Sequence, residues 1–397
     1  RAAARRDRDH RGSAKATTAS PSNSPIFSGP RAMYASGPCP PAAIATNCRP
    51  SARVRQVTTA TCIHHHPFFF VPAHDQAMRY TFFVSHRSGQ PQIYAELRAS
   101  GQLLQLTDHP HLVPWSLHPT HDGRHLLFTT QSGAHRLDME TLQEEVLVAF
   151  EQQPNQAEGM VGAAMGTTTL SGDDRTWAIP VRHGGRSHML FIDLEQQTTH
   201  EAFDNTIIGH PQFCPDDPQL IFYAGPMTDR LWIGSVDGRR HERLYQRESD
   251  QQWITHESWI AGTLELAFVD WPRGMQAIHV HTGARRWVSH FPAWHAFPDA
   301  TGQTFVCDTN FPDIGLHTFA ARGEPSTGRV LCQSMATSIG THWNGPFPYN
   351  HGPVQVYAPQ HTHPHPRFSP DGRWVIFTSD RSGHAQLYEC EVIGKAD

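Results

Sequence analysis

The sequence predicts an all-β protein: a seven-bladed β-propeller of four-stranded antiparallel blades. Three observations carry that expectation. From about residue 53 the chain consists of short β-branched and aromatic runs separated by Asp-Gly, Pro-Asp and Ser-Gly turn signals, the pattern of consecutive hairpins. The same strand-turn-strand unit returns at a spacing of roughly 40 residues, the period of propeller blades. No long helical pattern interrupts the series.

The unit is plainest from Pro366 to Tyr388, where Asp371-Gly372 and Ser382-Gly383 separate three strands. Tyr80–Tyr94 reads as part of a first blade and His118–Phe128 as part of a second. Further copies begin near Gly162, His210, His256 and His295, with turns at Gly172-Asp173, Asp216-Asp217, Gly262 and Asp299. Seven units fit one propeller domain over residues 53–397. The segment Arg53–Val57 reads as a spare strand that completes the last blade and closes the ring, removing the unpaired edges an open ring would expose. Residues 1–52, rich in Ala, Ser, Pro and Arg, are expected to be a disordered or non-native extension. A targeting segment, or a start at Met33, is the other reading of that stretch.

Charge separates the two parts. The net charge is -5, but the first 55 residues hold ten Lys and Arg against only Asp7 and Asp9, so the rest carries -13. An acidic body argues against nucleic acid as the main partner, because phosphate binding needs a basic surface. No apolar run approaches the ~20 residues of a membrane-spanning helix, so no membrane partner is expected. The seven cysteines are scattered, with no Cys-x-x-Cys, and suggest neither a disulfide framework nor a zinc-thiolate site.

Histidine is the anomaly, with 29 residues against 32 Lys plus Arg. Neutral imidazole is a common metal ligand and a base near neutral pH. In each repeat the innermost strand precedes the Asp-Gly-type turn, and His210, His256, His295, His363 and His365 all fall four to eight residues before such a turn. Equivalent positions in a radial repeat point to one place, at one end of the central channel.

The sharpest cluster is Gln360-His361-Thr362-His363-Pro364-His365-Pro366. On an extended strand residues two apart share a face, so His363 and His365 can offer both imidazoles to one ion, with the prolines keeping the backbone extended. His295 adds a third nitrogen and Gln360 an oxygen, a mixed set with an open position that suits manganese, nickel, iron or zinc. A bare His-x-His reads equally well as structural, and the repeat register is what favours metal. A second constellation joins Thr255-His256-Glu257-Ser258-Trp259 to Asp229-Arg230-Leu231-Trp232. Its structural reading makes His256 a half-buried strand residue bonded to a carbonyl, and Arg230 a surface ion pair with Asp229. His64, His65, His66, His342, His351 and His361 are assigned to structure, although the loop carrying His342 and His351 is a candidate cover for the site.

At these residues the sequence resembles the oligogalacturonate lyases, propeller enzymes that degrade short pectin fragments. The resemblance extends over about residues 53–395. Its marks are Gly209-His210-Pro211, Arg230-Leu231-Trp232, Thr255-His256-Glu257-x-Trp259, His295, and Gln360-x-Thr362-His363-Pro364-His365-Pro366. The resemblance implies that His295, Gln360, His363 and His365 hold a manganese or other divalent ion, that His256 is the catalytic base, and that Arg230 acts with it and, like His210, contacts the substrate. The implied reaction is β-elimination across C5 and O4 of a uronic-acid oligosaccharide, giving unsaturated uronates. A cytoplasmic location is implied, with the periplasm as the alternative. The sequence departs from the family at Ser334–Pro359, which is longer, and over about 160–203, leaving open lyase action on another uronate. A non-catalytic propeller of the Tol type, binding a protein partner, is the competing class. A serine-peptidase propeller lacks support, since there is no Gly-x-Ser-x-Gly elbow or following α/β domain.

Overall fold

One side-chain device builds the repeated hairpin. In the computed structural model of the chain, Ser369 Oγ donates to Asp371 (2.5 Å) and accepts the Trp374 N–H (3.0 Å), while the Gly372 N–H donates to the Ser369 carbonyl (2.9 Å). Gly372 takes φ of +67°, a conformation that favours glycine. Thr120 with Asp122 and His125, and Ser171 with Asp173 and Thr176, repeat the arrangement.

The structure describes residues 52–150, 153–154, 166–309, 313–337 and 362–392. All but the last residue of the expected N-terminal extension, together with Gly162, His342, His351, Gln360 and His361, lies outside the described residues. The hairpins assemble into seven antiparallel sheets, and no α-helix occurs among the described residues. Blade one comprises His64–His65, Tyr80–Ser85, Gln92–Leu97 and Gln102–Gln105; blade two, His118–Pro119, His125–Thr129, Gly133–Asp138 and Glu144–Ala149. In blade three, Thr169–Leu170 and Gln153–Pro154 both pair with Thr176–His183, followed by Arg186–Asp193 and Thr198–Asn205. Blade four runs Gly209–Cys214, Asp217–Ala224, Leu231–Ser235 and His241–Tyr245. Blade five is Trp253–Ile260, Glu265–Trp271, Gly274–His279 and Arg285–Ser289; blade six, Ala293–Pro298, Thr304–Thr309, Leu316–Ala320 and Arg329–Cys332. Blade seven takes Arg367–Phe368, Trp374–Ser379 and Gln386–Glu391 from the C-terminal part of the chain, and its outer strand is Val54–Gln56.

The ring therefore closes as expected, with Val54 opposite Cys390 and Gln56 opposite Tyr388. Charge reinforces the closure. Arg55 donates to Glu389 of blade seven (2.7 Å) and to Glu96 of blade one (2.5 and 2.8 Å), and His74 and Arg98 also reach Glu389 (2.7 and 2.5 Å). Elsewhere the blades meet face to face through apolar clusters. Phe222, Leu231 and Ile233 of blade four, for example, pack on Ile254, Trp259 and Phe268 of blade five, all nearly or fully buried. Close packing of this kind makes burial the main stabilising contribution. Turn regions are also tied between blades: Asp216 accepts the Gly262 and Thr263 N–H groups (2.7 and 3.1 Å), and Asp174 accepts His121 through its N–H and ring (3.0 and 2.6 Å). The cysteines at 62, 214, 307 and 390 are free thiols. No helix among the described residues is long and apolar enough to cross a membrane.

Candidate metal centre

The inner strands of blades four, five and six share an irregularity at the histidine position. Pairing with the second strand shifts between Gly209 and Gln212, between Thr255 and Ser258, and between Ala293 and Ala296. A bulge frees a residue from the ladder and re-aims its side chain. His210 and His256 accordingly sit at φ of +49°, in the left-handed region. Such backbone costs about 1–3 kcal/mol per non-glycine residue and persists only where the surroundings hold it.

Blade seven reaches the same end by a route different from the expected one. His363 and His365 do not lie on an extended strand, because the strand begins at Arg367 and His365 has φ of +46°. Two bonds fix the turn: the Pro364 carbonyl accepts the Thr378 N–H (2.9 Å), and the His365 N–H donates to Asp308 Oδ2 (3.1 Å). The two imidazoles converge because the chain bends.

Together with His295 they form a buried trio whose candidate ligand nitrogens all lie within 4.8 Å of one another. Asp308, on the second strand of blade six, braces it. It accepts the His295 N–H (2.7 Å) on one oxygen and His295 Nδ1–H (2.8 Å) on the other. A carboxylate that accepts Nδ1–H in this way orients the ring and leaves Nε2 as the nitrogen able to ligate, the arrangement a carboxylate gives a ligating imidazole. His365 Nε2 is buried with no hydrogen-bond partner among the described residues. Burial first, then the nearby His295 and His363 imidazoles, pushes the His365 pKa well below its ordinary value, so the ring is neutral. A buried nitrogen of this kind costs free energy unless something binds it, and neutral imidazoles are the form that ligates a cation. The three residues fit a divalent metal ion. Gln360, expected as the oxygen ligand, lies outside the described residues, although the adjoining chain is anchored by Thr362 Oγ1 donating to the Thr337 carbonyl (2.8 Å).

His256 stands beside the trio, its ring centroid 4.2 Å from that of His295 and its edge against Trp294. Its Nδ1 is buried without a partner among the described residues. Burial, followed by His295 and Arg230, drives its pKa well below the ordinary range. His210 is likewise held neutral by burial and by Arg230, whose NH2 donates to His210 Nδ1 (3.3 Å).

Arg230 is not a surface residue paired with Asp229. It is 3% exposed, and Nε and NH2 donate to the two oxygens of fully buried Glu257 (2.6 and 3.2 Å), while Asp229 pairs with Arg243 (3.3 Å). The two-pronged pairing compensates both buried charges and fixes the guanidinium plane. Glu257, two residues short of Trp259 in the bulge of blade five, was visible in the sequence only as part of a motif.

A further component had no expectation attached. Phe68, Phe69 and Phe70, between the first two strands of blade one, form a buried plug. Phe68 packs on His365 and His210 (ring centroids 4.7 and 4.9 Å), and Phe69 on His295 and His256 (5.4 and 5.7 Å). His65 stacks on Trp115 (4.2 Å), and His66 donates from Nε2 to the Pro364 carbonyl (3.2 Å), consistent with structural roles. The signal was a run of aromatic residues with no alternation, which cannot be a half-buried strand and so must be buried whole.

Fold and site together define a propeller with a buried, histidine-lined centre fitted to a divalent cation. No family model matches the chain. Over 216 residues, 51% of this chain and 55% of the relative, it is 24% identical to the oligogalacturonate lyase of Dickeya dadantii. The chain spans about half the length of the curated relatives it matches. Two solved structures share the fold across most of both chains. The oligogalacturonate lyase of Vibrio parahaemolyticus superposes with a TM-score of 0.72 at 19% identity, covering 89% of this chain and 97% of that one. An oligogalacturonate lyase in complex with manganese superposes with a TM-score of 0.71 at 19% identity, covering 88% and 94%. The likeness to oligogalacturonate lyases read from the sequence is thus borne out.

Proposed function

We propose that this protein is a divalent-metal-dependent lyase that cleaves short oligogalacturonides by β-elimination. The observation that carries the reading is the buried His295, His363 and His365 trio, with Asp308 behind His295, in a chain similar to oligogalacturonate lyases. His295, His363 and His365, with Gln360, would hold the ion, and manganese is the candidate because one structural neighbour is a manganese complex. When bound, such an ion supplies a Lewis acid that offsets the charge of the substrate carboxylate, which otherwise opposes loss of the adjacent proton.

The chain's own residues do the rest. His256, neutral and buried beside the trio, accepts the C5 proton. The electrons of that C–H bond form the C4–C5 double bond as the C4–O bond breaks, and the departing oxygen takes up a proton, so no water is consumed. Arg230, oriented by Glu257, and His210 contact the uronate. The buried Phe68–Phe70 plug keeps water from the inner side of the histidines.

The test is His256→Ala assayed on oligogalacturonides and on glucuronate- and iduronate-containing oligosaccharides, with manganese present, following ultraviolet-absorbing unsaturated product. The expected result is a rate loss of ~10²–10⁴-fold with metal content unchanged. A variant that forms product at the parent rate would remove His256 from the role of base. Parent activity confined to a different uronate would move the substrate assignment and leave the reaction class standing.

A further inference from the structure

The inner strands run from the histidine centre towards the inter-strand turns, and there the channel opens into a cavity of about 270 Å³ lined by Pro119, Pro215, Pro298 and Pro370 of four different blades. Arg367 also lines it. The guanidinium lies over the Phe297 ring, with Cζ 4.1 Å from the centroid, and NH1 donates to the Phe69 carbonyl (3.1 Å). That is its one hydrogen bond among the described residues, and no described carboxylate forms an ion pair with it. The acid on the cavity wall, Asp299, is engaged with its own turn: Oδ1 accepts from the Thr301 N–H, the Thr301 hydroxyl and the Gln303 N–H.

A fork of five N–H donors held against an aromatic ring and a plug carbonyl, within mostly apolar walls that also carry His74, Gln76, Thr120, His121 and Ser369, is an incomplete ion pair. Leaving such a charge without a counterion is costly, and the low-dielectric walls that raise the cost also strengthen attraction for an anion. The bond to Phe69 and the stack on Phe297 hold the plane of the fork, a geometry that matches a planar carboxylate in two-pronged fashion. The cavity is large enough to hold one sugar ring.

We infer that this far end of the channel is a second binding site, for a small carboxylate of monosaccharide size, recognised by Arg367. The site is separated from the histidine centre by the Phe68–Phe70 plug, and it stands whether or not the lyase reading does. The test uses the full chain carrying His363→Ala, titrated calorimetrically with galacturonate, acetate, inorganic phosphate and neutral galactose in the presence of a chelator, so that no metal centre contributes. Saturable binding of galacturonate is expected, with galactose at least tenfold weaker. Adding Arg367→Gln lowers the galacturonate affinity at least tenfold. Gln76→Trp, which fills the cavity from its exposed rim without touching the arginine, does the same, so the result does not hang on the folding of the arginine variant. The inference is overturned if no anion binds saturably, if galactose binds as well as the acid, if phosphate binds more tightly than the carboxylates, or if both variants bind as the parent does.

Discussion

Two groups of three potential ligands differ in composition, in burial and, above all, in the position of the acid. At the channel centre, Asp308 bonds the far nitrogen of His295 and a backbone N–H of His365, and the ligand nitrogens of His295, His363 and His365 face one another. On blade two, Glu144 sits between its histidines: one oxygen, Oε1, takes His109 Nε2 (2.9 Å) and His135 Nδ1 (2.8 Å), and His135 Nε2 bonds Thr130 (3.0 Å). His183, His188 and Glu201 on blade three repeat the second pattern (3.0 and 3.2 Å). An acid behind an imidazole turns it into a ligand, whereas an acid between two imidazoles satisfies them. Convergence of histidines is therefore a weaker sign of metal than the position of the nearest carboxylate.

The largest expected effect sets the two groups against each other. His363→Ala should abolish stoichiometric binding of manganese, and with it activity on uronic oligosaccharides, while His135→Ala leaves metal content unchanged. Metal analysis after dialysis of both folded variants decides it, and loss of the ion from the His135 variant would erase the distinction. A smaller effect isolates the bracing acid. Asp308→Asn keeps shape but removes the charge behind His295, and should weaken metal affinity ~10–100-fold as read by chelator competition. An unchanged affinity would mean that Asp308 holds only the backbone.

Much of this was legible in the sequence because propeller repeats convert sequence register into spatial register. His210, His256, His295 and His365 stand four to six residues before a turn, and that register brought four blades to one point. Backbone detail was not legible. The bulges at His210 and His256 leave no mark in the repeat, and the bend at His365 is fixed by bonds to Thr378 and Asp308 on other strands, so His-x-His geometry on an extended strand was the wrong local picture for the right convergence. Asp308 escaped notice because it is thirteen residues from His295 in sequence and becomes its neighbour only through cross-strand pairing. Arg230 had a plausible adjacent partner in Asp229, and only the packing of blade four on blade five shows that Glu257 is the true one.

The smallest effect belongs to the satisfied cluster and appears as a pH dependence of stability. Burial raises the Glu144 pKa, but the hydrogen bonds and charges of His109 and His135 more than offset it, so the carboxyl is held well below its ordinary range. A carboxylate whose folded pKa is depressed contributes stability that is fully present above its unfolded value, about 4.3, and is lost as pH falls through the folded value. Glu144→Gln removes a charged acceptor shared by two imidazoles and should cost about 1–2 kcal/mol at pH 6–7. The gap between variant and parent should narrow as the medium is acidified below about pH 4, since the parent then loses the same interaction. Urea midpoints measured for both proteins across that range make the check. A gap that stays constant would mean that Glu144 contributes through packing and neutral hydrogen bonding, and the contrast with the metal centre would then rest on geometry without charge.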